Sequence, residues 1–269
     1  MATVKDGKVV IFGAGGPVGA ATIAALKDHY TLRCTDAVSL DQIVARERRQ
    51  SLTAPMPELL DAPHERAIVD VTNYAQVRAA CEGMDAAINL TVLRHALDKA
   101  FAVNLVGAYN IAKAAADAGL RRLIHTGPFH TRLGHQADYW QDHQVPDDVP
   151  LHPGDDLYAL SKYLGGHVTR VFAEACDLDV ITYLFCGFRP RQVGPEGHGS
   201  GNASFTVSWE DAGESMRYGL RAGEMPSPYE VFFIAADTPD RKYRVDKAKR
   251  LLGWQARDNF EHLYRRPAS

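Results

Sequence analysis

Short apolar runs alternate with longer amphipathic stretches along most of the chain, and that rhythm predicts strands and helices in turn. Val9–Phe12 reads as a buried strand, and Tyr30–Thr35, Ala67–Val69, Ala86–Leu90, Arg122–Thr126 and Asp179–Phe185 read as further strands. The stretches between them read as helices. One runs through Ile23 and Leu26, one from a Thr72 or Asn73 cap to Cys81 with a stop at Gly83, and one over Leu97–Ala118 closed by Gly119. Another opens at Asp155-Asp156 and keeps an apolar face through Leu164, Val168, Val171, Phe172 and Ala175. Alternation of this kind implies a parallel sheet with right-handed crossovers. Beyond Phe185 the pattern loosens to a helix over Trp209–Arg221 ended by Gly223, a strand over Glu230–Ala235 and a helix over Val245–Leu252. The expectation is an α/β fold: a doubly wound parallel sheet in residues 1–185 and a small C-terminal part, 186–269, packed on it.

Three polar stretches interrupt the rhythm. Residues 39–66 carry Arg46-Glu47-Arg48-Arg49 and then Pro55, Pro57 and Pro63, which reads as a short surface helix and an irregular loop. Residues 127–156 carry His130, His135, His143 and His152 among Asp138, Tyr139, Trp140 and Asp142. No His-xxx-His pair fixes two ligands on one helix, so a lid that shapes a substrate site is expected there rather than a metal site. Gly194, Pro195, Gly197, Gly199 and Gly201 mark a loop expected to move on ligand binding.

Composition mainly excludes. The 269 residues are 46% hydrophobic and 23% charged, as in an ordinary soluble domain. A net charge of −3 offers no global pull toward nucleic acid or an anionic membrane, and the Arg46–Arg49 cluster reads as a solvated face. No apolar run approaches a spanning helix, and the first strand begins too early to leave room for a signal peptide. Cys34, Cys81, Cys176 and Cys186 have no metal spacing and read as free thiols in a reducing cytoplasm.

The candidate chemistry starts at Gly13-Ala14-Gly15-Gly16-Pro17-Val18-Gly19, where the first strand turns into a helix. Glycines at 13, 16 and 19 allow a sharp turn and bring bare backbone, with the helix N-terminus behind it, against a pyrophosphate. Pro17 sits in the first helical turn, where its missing N–H costs nothing. Asp36, at the end of the second strand, can accept both hydrogens of an adenosine ribose diol and would repel a 2′-phosphate, so NAD is expected over NADP. Asp70, Asn89-Leu90-Thr91 and Thr126-Gly127-Pro128 also fall at strand carboxyl ends, where such folds bind ligands. Tyr158 and Lys162, four apart, share a helix face. A phenol is a poor base at neutral pH, and a nearby ammonium favours its ionised form, so Tyr158 is the acid–base candidate with Lys162 holding a ribose beside it.

With these residues in view, the chain resembles an extended short-chain dehydrogenase/reductase of the NAD-dependent epimerase/dehydratase family, over nearly its whole length. Gly13-xx-Gly16-xx-Gly19, Asp36, Asp70-Val71, Asn89-Leu90-Thr91, Val103-Asn104 and Tyr158-xxx-Lys162 match that family's motifs. Asp147–Lys162, Val207–Asp211 and Leu252-Gly253-Trp254 make it most similar to uronate dehydrogenases within the family. The resemblance implies a Rossmann fold and NAD held by Gly13, Gly16, Pro17, Val18, Gly19, Asp36, Asp70, Val71, Leu90, Thr91, Asn104, Tyr158 and Lys162. It further implies hydride transfer at a hydroxyl or carbonyl of a sugar-derived substrate. Aligned on Leu123–Pro128, the catalytic serine position holds Pro128, which has no hydroxyl. Thr126, His130 and Thr131 lie near enough to substitute. Gly201 stands where the uronate enzymes carry an arginine for the substrate carboxylate, and Phe188 replaces a polar pocket residue; Arg189 and Arg191 are the remaining anion ligands. Two readings stay open: an NAD-dependent sugar oxidoreductase or isomerase, and a dinucleotide-binding regulator or scaffold without turnover.

The helices Leu97–Ala118 and Leu157–Ala175 carry small and apolar residues on more than one face, which one sheet cannot cover. Related enzymes bury these helices against a symmetry mate. A two-fold homodimer is expected, with Ala108 among the outward small residues; the alternative is that the loop after Thr126 folds over the same surface.

Overall fold

The computed structural model of the protein describes residues 3–46, 54–94, 96–133, 143–153, 156–191 and 204–264. In chain order its strands are β1 (Lys8–Phe12), β2 (Thr31–Asp36), β3 (Glu65–Ile68), β4 (Ala86–Asn89), β5 (Arg122–Pro128), β6 (Asp179–Phe185), β7 (Gly187–Arg189), β8 (Thr206–Ser208) and β9 (Tyr229–Ile234). The helices are α1 (Pro17–Leu26), α2 (Leu40–Ala45), α3 (Tyr74–Cys81), α4 (Leu97–Phe101), α5 (Gly107–Asp117), α6 (His130–Leu133), α7 (Leu157–Ala175), α8 (Trp209–Arg221) and α9 (Asp246–Leu252). One sheet runs β3-β2-β1-β4-β5-β6-β9, every pair parallel, and β7 and β8 form a separate parallel ribbon.

The central strands are apolar on both faces because both faces are covered. Val9 and Ile11 point into a core shared with Ile23 and Leu26 of α1 and Met216 and Leu220 of α8. Val10 and Phe12 point the other way, against Val77 of α3, Ile111 of α5 and Ala173 of α7. Each fully buried Val, Ile, Leu, Met or Phe among them stabilises the fold by about 1.5–3 kcal/mol relative to leaving it exposed. This is the doubly wound Rossmann architecture that the alternation predicts. Strand β9, from the C-terminal stretch, extends the main sheet beside β6. Among the described residues no helix is long and apolar enough to cross a membrane.

Caps and breaks follow the local chemistry. Asn73, rather than Thr72, caps α3 by accepting the Gln76 N–H at 3.3 Å. Gly83 and Gly119 take the left-handed backbone just beyond α3 and α5, at φ 73° and 65°. The stretch Leu97–Asp117 departs from one regular helix, since Ala102–Val106 widens into a π-turn between α4 and α5. Ala108 does not face outward. It is fully buried, and a Cβ at Gly165 of α7 would come within 3.2 Å of its methyl. The close α5–α7 approach uses up the small residues that leave a helix looking apolar all round.

Candidate active site

The cofactor end is built by β1, β2 and α1. Gly13 sits at φ 83°, a conformation that glycine alone takes without strain, and a Cβ there would lie 2.9 Å from the Leu90–Thr91 peptide. A Cβ at Gly19 would meet the Ala14 carbonyl at 2.4 Å, so no side chain fits between α1 and the turn. Helix α1 has no side-chain cap and no acidic residue in its first turn, which leaves its N-terminal donors for an anion. The Asp36 carboxylate accepts the Gly15 N–H at 2.9 Å, fixing it beside the turn. The residues present therefore fit a dinucleotide: a bare, uncapped helix start for the diphosphate and a carboxylate at the adjacent strand end for a ribose diol. At the far side, Asp70 is exposed and accepts both hydrogens offered by Thr72. Val71 is buried against Gly107, and its carbonyl takes the Asn110 amide at 2.8 Å.

A cavity of about 560 Å³ opens at the carboxyl ends of β4, β5 and β6. Val18 of α1 and Leu90 border it from the cofactor side. Thr126, Gly127 and Pro128 end β5 there, and Tyr158 and Lys162 project into it from α7. Asp156 caps α7 by accepting from the Tyr158 and Ala159 N–H groups at 3.0 and 3.3 Å, which sets the first turn and with it the tyrosine. Opposite stand Phe185, Phe188 and Phe205, with Phe188 stacked on Trp209 at 4.5 Å. His130, at the start of α6, lines the cavity with its ring 5.6 Å from Phe205.

The electrostatics differ from the sequence-based expectation at one point. Lys162 is buried, with Nζ donating to the Thr91 and Thr126 carbonyls at 2.7 and 2.9 Å. Burial pulls its pKa down to about 7, so it is not the permanent ammonium expected to favour a phenolate. Burial also raises the Tyr158 phenol above its ordinary value, and the cation opposing that rise is Arg94, whose guanidinium lies 5.4 Å from the ring centroid. Arg94 was not legible as a site residue. Its only sequence signal is its place in the loop just after Asn89-Leu90-Thr91, at a strand carboxyl end.

Other expected ligands are brought elsewhere. Thr126 lines the cavity, but its hydroxyl donates to the Asn89 carbonyl at 2.7 Å. Thr131 is buried with its hydroxyl on the Pro128 carbonyl at 3.0 Å, because α6 turns it behind β5. Arg191 is held away by Asp258 at 2.9 Å and Asp211 at 3.5 Å, and neither it nor Arg189, at the end of β7, lines the cavity. Asn104 spends its amide on the Leu93 backbone and the Ser161 hydroxyl, pinning the π-turn to the loop that carries Arg94 and to α7. That makes it a positioning residue in this arrangement. His135, Asp138, Tyr139, Trp140 and Asp142 of the expected lid lie outside the described residues, as do Glu47-Arg48-Arg49 and the glycine-rich stretch with Gly194, Pro195, Gly197, Gly199 and Gly201.

Residues 9–201 match the model of the NAD dependent epimerase/dehydratase family. The chain belongs to that family. The NAD-dependent glucose-6-phosphate dehydrogenase of Haloferax volcanii is 25% identical, over 94% of both chains. The uronate dehydrogenase of Pseudomonas putida is 26% identical over 68% of this chain and 61% of its own. A mutant uronate dehydrogenase of Agrobacterium tumefaciens, crystallised in complex with NAD, superposes with a TM-score of 0.75 at 19% identity, covering 98% of this chain and 92% of that one. These relatives are sugar dehydrogenases, NAD is the cofactor of the family, and a sugar oxidoreductase role fits the chain.

Proposed function

We propose that the chain is an NAD-dependent oxidoreductase of a small sugar-type substrate, with Tyr158 as its acid–base residue. The observation that carries this reading is the convergence of Tyr158, Lys162 and the uncapped α1 turn on one cavity at the strand carboxyl ends. Bound NAD supplies the hydride acceptor or donor. Tyr158 exchanges the proton of the substrate hydroxyl or carbonyl oxygen, Arg94 offsets the cost of a buried phenolate, and Lys162 stands beside them, held by the Thr91 and Thr126 carbonyls, with a third donor only in its ammonium form. Phe185, Phe188 and Phe205 offer flat faces to the apolar side of a sugar ring. His130 is the proposed hydrogen-bonding partner of the substrate in place of the hydroxyl that Pro128 lacks. The proposed division of labour keeps NAD on residues 1–185 and takes part of the substrate wall, Phe188 and Phe205, from 186–269. Pro128 at the cavity wall favours the second reading, a dinucleotide-binding regulator, which predicts NAD binding without turnover. A screen of sugars, sugar acids and sugar phosphates for NAD reduction separates the two.

Calorimetric titration is expected to show tighter binding of NAD than NADP, and Asp36→Ala to narrow the gap by removing the repulsion of a 2′-phosphate. Tighter NADP binding by the unaltered protein would overturn the cofactor assignment.

A homodimer through α4, α5 and α7 is part of the same proposal. Leu97 and Val171 are 75% and 62% exposed, and Phe101 and Leu160 join them as apolar residues left open on these neighbouring helices. Such a patch is what a two-fold contact covers. Val171→Glu places a charge in that contact without touching the monomer core and should give monomers in light scattering. An unaltered protein that is already monomeric at micromolar concentration removes this part of the reading. A cytoplasmic location is proposed on the four free cysteines.

A further inference from the structure

A second cavity, of about 60 Å³, lies between α7 and the sheet and shares Lys162 and Gly127 with the first. Its floor includes His125 and Thr182, in register on neighbouring strands, and Asn89 pairs with His125 from the strand on the other side. Polar groups at the centre of a sheet cost free energy unless they find partners. Asn89 Oδ1 accepts from the Thr91 N–H and hydroxyl, so its amide is the donor toward His125 Nδ1 at 3.3 Å. Burial keeps the imidazole neutral, which puts its proton on Nε2. His125 is 1% exposed, and that Nε2–H has no partner among the described residues. Gly166 of α7 leaves room above the floor: a Cβ there would already lie 3.6 Å from the Tyr229 hydroxyl.

The walls are basic. Arg132, Arg170 and His167 line the cavity, and no carboxylate does among the described residues. The Arg132 guanidinium donates to the Val149 carbonyl at 2.6 Å, while its Nε and the His167 Nε2 have no partner among those residues. Arg132 feels Asp147 and Asp148 from a distance but forms no ion pair among the described residues, and the Asp147 carboxylate lies 3.9 Å from Lys247 instead. A volume of this size holds about four waters, or the four oxygens of one tetrahedral anion.

We infer that the cavity behind Lys162 is a binding site for a small oxyanion of the inorganic phosphate type, held by Arg132, His125, Thr182 and Tyr229. Arginine supplies the charge-assisted bonds, and the imidazole and the Thr182–Tyr229 hydroxyl pair, which interact with each other, supply neutral ones, a donor set that chloride cannot use as fully. An anion here also stands behind Lys162 and favours its ammonium form, which links site occupancy to the charge next to Tyr158.

Calorimetric titration of the NAD-saturated protein with sodium phosphate, against sodium chloride at matched ionic strength, tests the site. Saturable binding of phosphate is expected, weakened about tenfold or more in Arg132→Gln. Thr182→Val, nearly isosteric and therefore the safer variant for folding, should weaken it as well. Phosphate held instead at the glycine turn would bind equally well in both variants, so unchanged binding in the two overturns the inference. Absence of any phosphate binding beyond chloride in the unaltered protein overturns it too.

Discussion

Tyr158→Phe is expected to lower kcat/KM by about 10²–10⁴-fold, the span that a positioned general acid or base contributes, while leaving NAD affinity in place. The phenylalanine keeps the ring packed at the start of α7 and removes only the oxygen that carries the proton. Because burial holds this phenol above its ordinary pKa, the protonated form prevails at neutral pH and is poised to donate to a carbonyl. Oxidation of a hydroxyl needs the phenolate, and Arg94 is the cation that makes it accessible. Arg94→Ala should therefore move the rising limb of the pH–rate profile for oxidation to higher pH, and Arg94→Lys should restore most of it. A Tyr158→Phe protein with unimpaired turnover would move the proton transfer to another group of the cavity, with His130 first in line. An Arg94→Ala protein that changes KM with an unmoved pH profile would make Arg94 a substrate ligand instead.

The fold was legible wherever local pattern and tertiary packing agree. The run Asp179–Phe185 reads as a strand and is one, because a parallel central strand buried on both faces must be apolar throughout. The glycine turn, Asp36 and the Tyr158–Lys162 spacing were legible for the same reason: each is fixed by backbone geometry that sequence spacing encodes. What escaped depends on contacts distant in sequence. The three-residue strands β7 and β8 pair across the glycine-rich stretch and carry no period of their own. The π-turn at Ala102–Val106 arises from Asn104 reaching the Leu93 backbone and Ser161, which helical periodicity does not register. Ala108 is small because Gly165 lies against it, and an alanine on a helix reads alike whether it faces a neighbouring helix or solvent. Lys162 was assigned a charge from its spacing to Tyr158, but its burial under two carbonyls decides its ionisation. Arg191 reads as an anion ligand until Asp211 and Asp258, far along the chain, are seen to hold it.

Arg122→Met should cost the fold about 2–4 kcal/mol, through buried carbonyls left without donors, and lower the midpoint of thermal unfolding by roughly 5–15 °C. Arg122 opens β5 with its side chain fully buried. Its guanidinium donates to the Gly219 and Ala222 carbonyls at 2.8 and 2.7 Å, to Gly223 at 3.2 Å, and to the Asp179 carboxylate at 3.0 Å. These carbonyls belong to the last turn of α8 and the residues just after it, where no further helical N–H is present to satisfy them. One side chain thus ties the C-terminal stretch to the centre of the sheet and completes the helix end. Asp179 is 30% exposed and recovers solvent when the arginine goes, so most of the loss comes from the orphaned carbonyls rather than the ion pair. Methionine fills much of the volume but offers no donor. Arg122→Lys, with a single ammonium that reaches fewer acceptors, should fall between the two. Hydrogen exchange should quicken first around Gly219–Gly223 and, through the packing of α8 on α1, next in the helix behind the glycine turn. An unfolding midpoint unchanged in Arg122→Met would show that water or a rearranged helix end replaces the clamp without cost.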